Sequence, residues 1–263
     1  MVGATMTITI NLCADMGEGF GAYRIGDDEA MLRVVRSASI ACGFHGGDPA
    51  TMHQVVKRAK EEGVSIGCHP GYNDLWGFGR RRIDTGADQL EYMVAYQIGA
   101  LQAFASYVGQ KVTHLQPHGA LANVAADEED VATAIGRAIK SVDRDIIYVV
   151  PPGSQMEKAG RKLGLRVAIE GFCDRSYEDD GRLTSRKLPG AVHTDPDVVA
   201  AQVLRIAQHG EVVTRNGKVI PQRVHTLCVH GDEPTGVATA KAARKALEDA
   251  GVKIVTLPEM NFD

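Results

Sequence analysis

The sequence has little of what marks nucleic-acid-binding, membrane or secreted proteins. Positive charge is not in excess, since 29 Lys and Arg stand against 33 Asp and Glu in 263 residues, a net charge of −4. Domains that bind nucleic acid or anionic membranes usually carry a basic surplus. No run approaches the ~20 apolar residues of a transmembrane helix, and the start lacks the charged flank and apolar core of a signal peptide. We therefore expect neither nucleic acid nor a membrane as a partner.

Cysteine is sparse and follows no recognisable spacing. The five cysteines are odd in number, widely spaced and without a C-x-x-C pair: Cys13, Cys42, Cys68, Cys173 and Cys228. This spacing argues against a disulfide framework or a zinc knuckle. Reduced thiols are typical of the cytoplasm, so we expect a cytoplasmic protein whose cysteines are small buried packing groups.

Three common cofactor and catalytic motifs are also missing. The sequence has no G-x-x-x-x-G-K-[ST] phosphate loop and no G-x-S-x-G nucleophile elbow. Its glycine-rich segment at 17–21 has a different spacing from the G-x-G-x-x-G dinucleotide fingerprint. Any nucleotide must therefore be bound in another way.

Short apolar, β-branched runs alternate with longer amphipathic segments. The eight runs are 7–13, 38–42, 64–68, 112–116, 146–150, 166–172, 225–229 and 252–257. The helical segments are 27–36, 48–62, 87–107, 128–140, 154–163, 195–209 and 234–250. This alternation predicts an α/β fold with a parallel sheet, and the number of runs fits a single (β/α) barrel of seven or eight strands over residues 1–263. A doubly wound open sheet is the alternative.

Two segments interrupt this alternation. Residues 173–193 are polar and predict a long loop. Residues 211–221 predict a hairpin around Arg215, Asn216 and Gly217, because Asn-Gly is the preferred two-residue hairpin turn.

Ionisable residues collect directly after the predicted strands. The candidate catalytic residues are Asp15, Glu18, His45, His69, His118, Asp174, His230 and Asp232. One such residue alone is usually a helix cap, but the carboxyl ends of barrel strands all face one end, where active sites lie. Recurrence after six strands therefore predicts a catalytic or metal-binding mouth. The remaining histidines are expected to be structural: His53, His114, His193, His209 and His225.

Three chemistries remain open for this mouth. Asp15, His45, His69 and His118 could together hold a divalent metal, because carboxylate and neutral imidazole are suitable ligands. The same groups could instead act without metal as general acids and bases. The three arginines at 80–82 could bind a phosphate, or they could form an ordinary solvated loop.

Seven strings in the sequence resemble the LamB/YcsF family. In order, they are NLCADMGEGFG, SIACGFHGGDP, IGCHPGYNDLWGFGRR, QPHGAL, EGFCDRSYEDDGRL, RKLPGA and CVHGDEP. The resemblance implies a barrel related to the glycoside hydrolase/deacetylase group. It also implies a hydrolase whose members work with two further subunits, B and C, to cleave the lactam 5-oxo-L-proline to L-glutamate. ATP is then the co-substrate, hydrolysed to ADP and phosphate.

The family strings contain all eight candidate catalytic residues. By the same resemblance, the candidate substrate- or phosphate-binding residues are Arg80, Arg175, Arg186 and Gln116. The chain departs from the family pattern at Asn11, Cys13, Gln116 and Ala122, and the usual Lys at position 116 would have supplied a positive donor. Two alternatives stay open: a metal-dependent deacetylase of carbohydrate-type substrates acting alone, and a lactam-binding subunit without its own catalysis.

Overall fold

Parallel strands surrounded by helices make up the structure, a computed structural model that describes residues 8–232 and 234–262. Over those residues the strands are β1 (Thr9–Met16), β2 (Ser37–Ala41), β3 (Ser65–His69), β4 (Val112–Leu115), β5 (Ile147–Val150), β6 (Val167–Phe172), β7 (Glu211–Val213), β8 (Val219–Pro221), β9 (Thr226–Val229) and β10 (Lys253–Val255). The α-helices are α1 (Asp28–Leu32), α2 (Pro49–Glu61), α3 (Ala87–Tyr107), α4 (Gly119–Asp127), α5 (Glu129–Val142), α6 (Gln155–Leu163), α7 (Pro196–His209) and α8 (Gly236–Asp249).

Seven of these strands close into a barrel. Their order is β1-β2-β3-β4-β5-β6-β9, and β9 pairs back with β1 through Asn11–Ala14. The closing pair confirms the predicted barrel and excludes the doubly wound open sheet. The start of the first predicted strand, Thr7, lies outside the described residues, and the single-domain organisation over the whole chain stays a prediction.

The eighth predicted strand does not join the barrel wall. Within the described part of the chain, β10 pairs only with Thr9–Asn11 at the beginning of β1. Asn11 is paired with both Thr226 and Val255, so β9 and β10 lie on opposite edges of β1. The following 3-10 helix (Leu257–Glu259) buries Leu257 against Ile147, Val149 and Ala168. The carboxy-terminal segment therefore plugs the end of the barrel at which the strands begin.

Alternation along β1 explains how the fold separates its core from its site. Leu12, Ala14 and Met16 belong to the large hydrophobic core shared with the helices. The alternate residues Asn11 and Asp15 contact the side chains of β9, with Thr226 Oγ1 donating to Asn11 Oδ1 at 2.7 Å. Because side chains alternate between the two faces of a strand, β1 turns polar residues toward β9 inside the barrel and apolar residues toward the surrounding helices.

Local signals position the helices. The Asp48 side chain accepts a hydrogen bond from the Thr51 amide at 2.8 Å, and Pro49 occupies the first turn of α2. Asp195 and Pro196 begin α7 in the same way, as capping preferences predict. The hairpin of β7 and β8 is confirmed, with Gly217 at φ 82° in its turn.

Two helices differ from the sequence prediction. α4 follows β4 directly and was not predicted. Its N-cap residue, His118, is not one of the preferred capping residues and makes no side-chain capping hydrogen bond. α1 is shorter than the predicted 27–36, and its core contacts end with Met31 and Leu32. Over the described ranges, no helix combines the length and hydropathy needed to cross a bilayer.

Candidate active site

Glycines bring the first two strand-end loops together at the mouth. Gly17 adopts φ 67° directly after β1, and the Glu18 carbonyl accepts a hydrogen bond from Gly47 at 3.3 Å. A Cβ on Gly46 would lie 2.8 Å from the Glu18 carbonyl oxygen, so only glycine allows this approach. The loop path turns the Glu18 side chain inward, where it is 3% exposed.

Three imidazoles pack tightly beside Glu18. The rings of His45 and His118 stack with centroids 3.7 Å apart and planes within 5°, and His69 meets both edge-on. Gly79, at φ 61°, lies against this stack: a Cβ there would come within 2.6 Å of His45 Cβ and 2.8 Å of His118 Cδ2. The three rings therefore have little freedom to rotate.

Backbone carbonyls determine which nitrogen two of these rings present. His69 Nδ1–H donates to the Gln116 carbonyl at 2.7 Å, and His118 Nε2–H donates to the Phe78 carbonyl at 2.8 Å. The other nitrogens, His69 Nε2 and His118 Nδ1, face each other at 3.0 Å. In the neutral tautomers that these carbonyls select, both facing nitrogens carry lone pairs.

Two carboxylates complete this cluster. Glu18 Oε1 lies 3.3 Å from both His45 Nε2 and His118 Nδ1, and Asp15 Oδ2 lies 3.5 Å from His69 Nε2. Glu18 Oε1 and both ring nitrogens of His45 have no hydrogen-bond partner among residues 8–232 and 234–262. The ligand atoms of Glu18, His45, His69 and His118 all lie within 4.8 Å of one another, a spacing that one metal ion could bridge. The predicted metal set had Asp15 in the place that Glu18 takes here.

Burial dominates the acid–base properties of the cluster. Burial, and then the charge of Asp15, raises the pKa of Glu18 well above its usual value. Burial also lowers the pKa of His45 and of His118 well below the usual imidazole value, and the neighbouring histidines add to this effect. His45 and His118 are therefore neutral near neutral pH.

A second acid–histidine pair lies on the β9 side of the mouth. His230 Nδ1–H donates to Asp174 Oδ1 at 3.0 Å, and the His230 amide donates to Asp174 Oδ2 at 3.2 Å. Burial alone would lower the pKa of His230, but the Asp174 carboxylate outweighs it and raises that pKa. The pKa of Asp174 is lowered, because the His230 charge and hydrogen bonds outweigh burial. The pair therefore favours a protonated His230 beside an ionised Asp174, and the Asp15 charge acts in the same direction on His230.

The predicted arginines separate into different environments. Arg80 bonds Asp232 at 2.6 Å, lies over the Phe78 ring at 4.9 Å and keeps a 43% exposed side chain. Arg175 is buried and donates to the carbonyls of Ala191 and Thr184, contacts that hold the 173–193 loop. Burial, followed by the charge of Arg186, lowers the pKa of Arg175 to about 10. Arg80 thus lies at the mouth and the charge of Arg186 acts on His230, whereas the contacts of Arg175 support a role in loop structure.

Gln116 points into the barrel below the mouth. Its side chain is buried, with Nε2 3.7 Å from Cys228 Sγ, while its carbonyl orients His69. These contacts favour a structural role for the side chain over substrate binding. The Glu170 side chain lies beside that of Gln116. Glu170 was not predicted as a site residue, although an acidic residue within an apolar strand is a signal that could have identified it. Burial, and then the Cys13 and Asp15 charges, raises the Glu170 pKa well above its usual value.

The other histidines have mostly structural surroundings. His114 is fully buried within the barrel wall, and burial followed by the His69 charge lowers its pKa to about 3. His225 Nδ1 accepts a hydrogen bond from the Ile169 amide at 2.8 Å. Asp48 caps α2 and Asp74 bonds Arg81, so neither of these family-string residues joins the histidine cluster.

The fold and the mouth define a parallel seven-stranded (β/α) barrel with a histidine–carboxylate site at the carboxyl ends of its strands. A model of the LamB/YcsF family matches residues 10–262, and the chain belongs to that family. It is 52% identical over 246 residues to the A component of 5-oxoprolinase from Rhodopseudomonas palustris, covering 93% of this chain and 97% of that protein. It is 48% identical over 249 residues to the A component of 5-oxoprolinase from Gluconobacter oxydans, covering 95% of this chain and 98% of that protein.

Solved structures agree with this assignment. The lactam utilization protein from Thermus thermophilus superimposes with a TM-score of 0.91 and 41% identity, covering 95% of this chain and all of that one. A T48 deacetylase solved with its substrate has a TM-score of 0.52 and 16% identity, covering 96% of this chain and 89% of that one. The second likeness concerns the fold alone and confirms the expected resemblance of the barrel to a deacetylase fold.

Proposed function

We propose that this chain is the A component of an ATP-dependent 5-oxoprolinase and that its mouth opens the lactam ring. The observation that carries the proposal is a carboxylate, Asp15, whose charge acts on His230, together with the Asp174 carboxylate that accepts the His230 Nδ1–H. The similarity to proteins named as this component of 5-oxoprolinase, about half identical over nearly the whole chain, supports the choice of substrate.

Cleavage of the lactam requires activation of its carbonyl by ATP and proton transfers during ring opening. The residues at the mouth can supply the proton transfers. The lactam carbonyl is a poor electrophile, so ATP first transfers its γ-phosphoryl group to the amide oxygen and leaves as ADP. Water then adds to the ring carbon and loses a proton, and the C–N bond breaks with its electron pair going to nitrogen, which takes a proton. A second water hydrolyses the resulting acyl phosphate to L-glutamate and phosphate.

We assign the ring-opening half to this chain. Asp15 would accept the proton of the attacking water, and His230, kept protonated by Asp174, would donate a proton to the ring nitrogen. Such positioned proton transfers typically contribute about 10²–10⁴-fold each. Burial of His45 and His118 in neutral form leaves them unsuited to donate this proton, which favours His230 as the acid.

Arg80 is our candidate for the substrate carboxylate. Its guanidinium is charged, partly exposed and held over the mouth by Asp232 and the Phe78 ring. A guanidinium binds a carboxylate or a phosphate through two parallel hydrogen bonds, so Arg80 could serve the lactam carboxylate or the transferred phosphoryl group. Subunits B and C, ATP as co-substrate and a cytoplasmic location complete the proposal.

Reconstitution tests this function. The chain, combined with subunits B and C, is supplied with 5-oxoproline and ATP, and L-glutamate and phosphate are measured. We expect His230→Gln and Asp15→Asn each to lower kcat by about 10²-fold or more. Asp249→Asn, at an exposed pair with Lys245, is the matched control and should keep full activity.

Three results would overturn the proposal in different ways. Full activity of both mouth variants would favour a lactam-binding subunit without its own catalysis. Deacetylation of an acetylated sugar by the chain alone would favour the deacetylase alternative. Formation of glutamate by subunits B and C without this chain would remove it from the reaction.

A further inference from the structure

We propose that Glu18, His45, His69 and His118 form a binding site for one first-row divalent transition-metal ion, with Zn²⁺ the best fit. One ligand atom from each residue lies within 4.8 Å of the other three, and the short contacts join Glu18 Oε1, His45 Nε2, His69 Nε2 and His118 Nδ1. All four residues are at least nine-tenths buried. The site is a property of this chain alone and does not depend on the lactam reaction proposed above.

Hydrogen bonding explains why these atoms converge without donors between them. The Gln116 and Phe78 carbonyls take the N–H groups of His69 and His118, which leaves two lone pairs facing each other at 3.0 Å. Metal-binding histidines are commonly oriented in this way, with the second ring nitrogen donating to a carbonyl or carboxylate.

Glu18 adds a carboxylate oxygen at the same point, and His45 adds a ring nitrogen whose tautomer no hydrogen bond fixes. Glu18 Oε1 and His45 Nε2 lie 3.3 Å apart, and neither has a hydrogen-bond partner in the described part of the chain. Buried polar atoms in folded proteins are almost always satisfied. A single proton would satisfy one of these contacts, whereas a cation at their centre satisfies all four at once.

Three of the distances between ligand atoms are close to those around a tetrahedral ion, and all of them are at most 4.8 Å. Zn–N and Zn–O bonds of about 2.0–2.1 Å place the corners of a tetrahedron about 3.3–3.4 Å apart. Glu18 Oε1 lies 3.3 Å from His45 Nε2 and 3.3 Å from His118 Nδ1, and the His69–His118 pair is at 3.0 Å. The cluster is therefore already close to the size that such an ion requires.

The donor set also selects the class of ion. Three imidazoles and one carboxylate suit zinc, cobalt, nickel or manganese, whereas magnesium and calcium prefer oxygen ligands throughout. Asp15, 3.5 Å from His69 Nε2, lies beside the cluster as the next carboxylate. If the proposed function holds, the ion would polarise the lactam or phosphoryl oxygen next to the base.

Metal analysis of the purified chain tests the site independently of activity. Protein made without a polyhistidine tag or a nickel column is stripped with chelator, and then titrated with Zn²⁺, Co²⁺ or Mg²⁺ by calorimetry. We expect one equivalent of Zn²⁺ to bind, a tetrahedral d–d absorption with Co²⁺, and no binding of Mg²⁺. Glu18→Gln and His69→Gln should weaken Zn²⁺ binding by at least about 100-fold, more than loss of an orienting partner usually costs.

A surface histidine provides the matched control. His53 is exposed on α2, packs against the rings of Phe104 and Tyr107, and lies outside the cluster. His53→Gln should keep wild-type stoichiometry and affinity. Failure of the wild-type chain to bind stoichiometric zinc would overturn the site, as would equal affinity of the wild type and folded Glu18→Gln. The wild-type titration decides the question even where a variant does not fold, and inactivity toward lactam with normal zinc binding would count against the proposed function only.

Discussion

The Asp174–His230 pair offers a sharp test of the electrostatics at the mouth through Asp174→Asn. Asp174 is 2% exposed, and its oxygens accept hydrogen bonds from the His230 amide at 3.2 Å and from the ring Nδ1–H at 3.0 Å. Asparagine keeps the size of the side chain and one acceptor oxygen but removes the negative charge. The variant therefore separates the charge of the pair from its packing.

The expected loss of stability follows from these contacts. We expect Asp174→Asn to lower the free energy of unfolding by about 1.5–3 kcal/mol, the range for hydrogen bonds to charged groups. Removing one member of a buried ion pair can cost as much as about 5 kcal/mol when the other charge stays unpaired. Here the His230 imidazole can release its proton instead, so the lower range applies.

This loss should depend on pH in a defined direction. The folded-state pKa of His230 is raised above 6.5, so its contribution is fully present below 6.5 and is lost as pH rises through the folded value. The folded-state pKa of Asp174 is depressed below 3.8, so its contribution is present above 3.8 and is lost as pH falls through the folded value. The stabilising window of the pair lies between the two folded values.

Urea denaturation at about pH 5.5 and about pH 9 measures this dependence, because the first value lies inside the window and the second lies toward or beyond its upper edge. The difference between the wild type and Asp174→Asn should be larger at the lower pH. Asp249→Asn, which removes an exposed pair with Lys245, should change stability by less than about 1 kcal/mol at either pH. An equal loss for Asp174→Asn at both pH values would refute the reasoning.

Two further substitutions test the surroundings of the histidine cluster. Gly79→Ala should lower the free energy of unfolding by about 1–3 kcal/mol and weaken zinc binding, because its Cβ would displace His45 and His118. Gly190→Ala is its control in urea denaturation and calorimetry: it has a similar positive φ of 75° with open space around it, so zinc binding should not change. Gln116→Lys should change stability while leaving kcat/KM within about threefold, because the side chain at this position is buried against Cys228 inside the barrel. A gain of about tenfold or more in kcat/KM in the reconstituted complex would instead show that this side chain reaches the substrate.

The strands and helices of the barrel could be predicted because their signals are local. Strand period, helix caps such as Asp48 with Pro49, and hairpin turns each act within a few residues, and all of these were confirmed. Closure could not be read in this way, since it depends on β1 pairing with β9 more than two hundred residues later. The eighth apolar run has the same pattern as the others. The pairing of Val255 with Asn11 nevertheless places this strand beside the beginning of β1, outside the barrel wall.

The histidine cluster shows where such local information ends. Residue type after each strand predicted Asp15, Glu18, His45, His69 and His118 as neighbours, because parallel strands end together. The choice of Glu18 over Asp15 as the fourth convergent ligand depends on the loop path through Gly17 and Gly46, which a linear pattern does not contain. Which nitrogen each ring presents is even less local, since His69 and His118 are oriented by carbonyls 47 and 40 residues away in the sequence. The sequence thus determines the donor atoms through long-range contacts, and those contacts turn a set of strand-end histidines into a site sized for one ion.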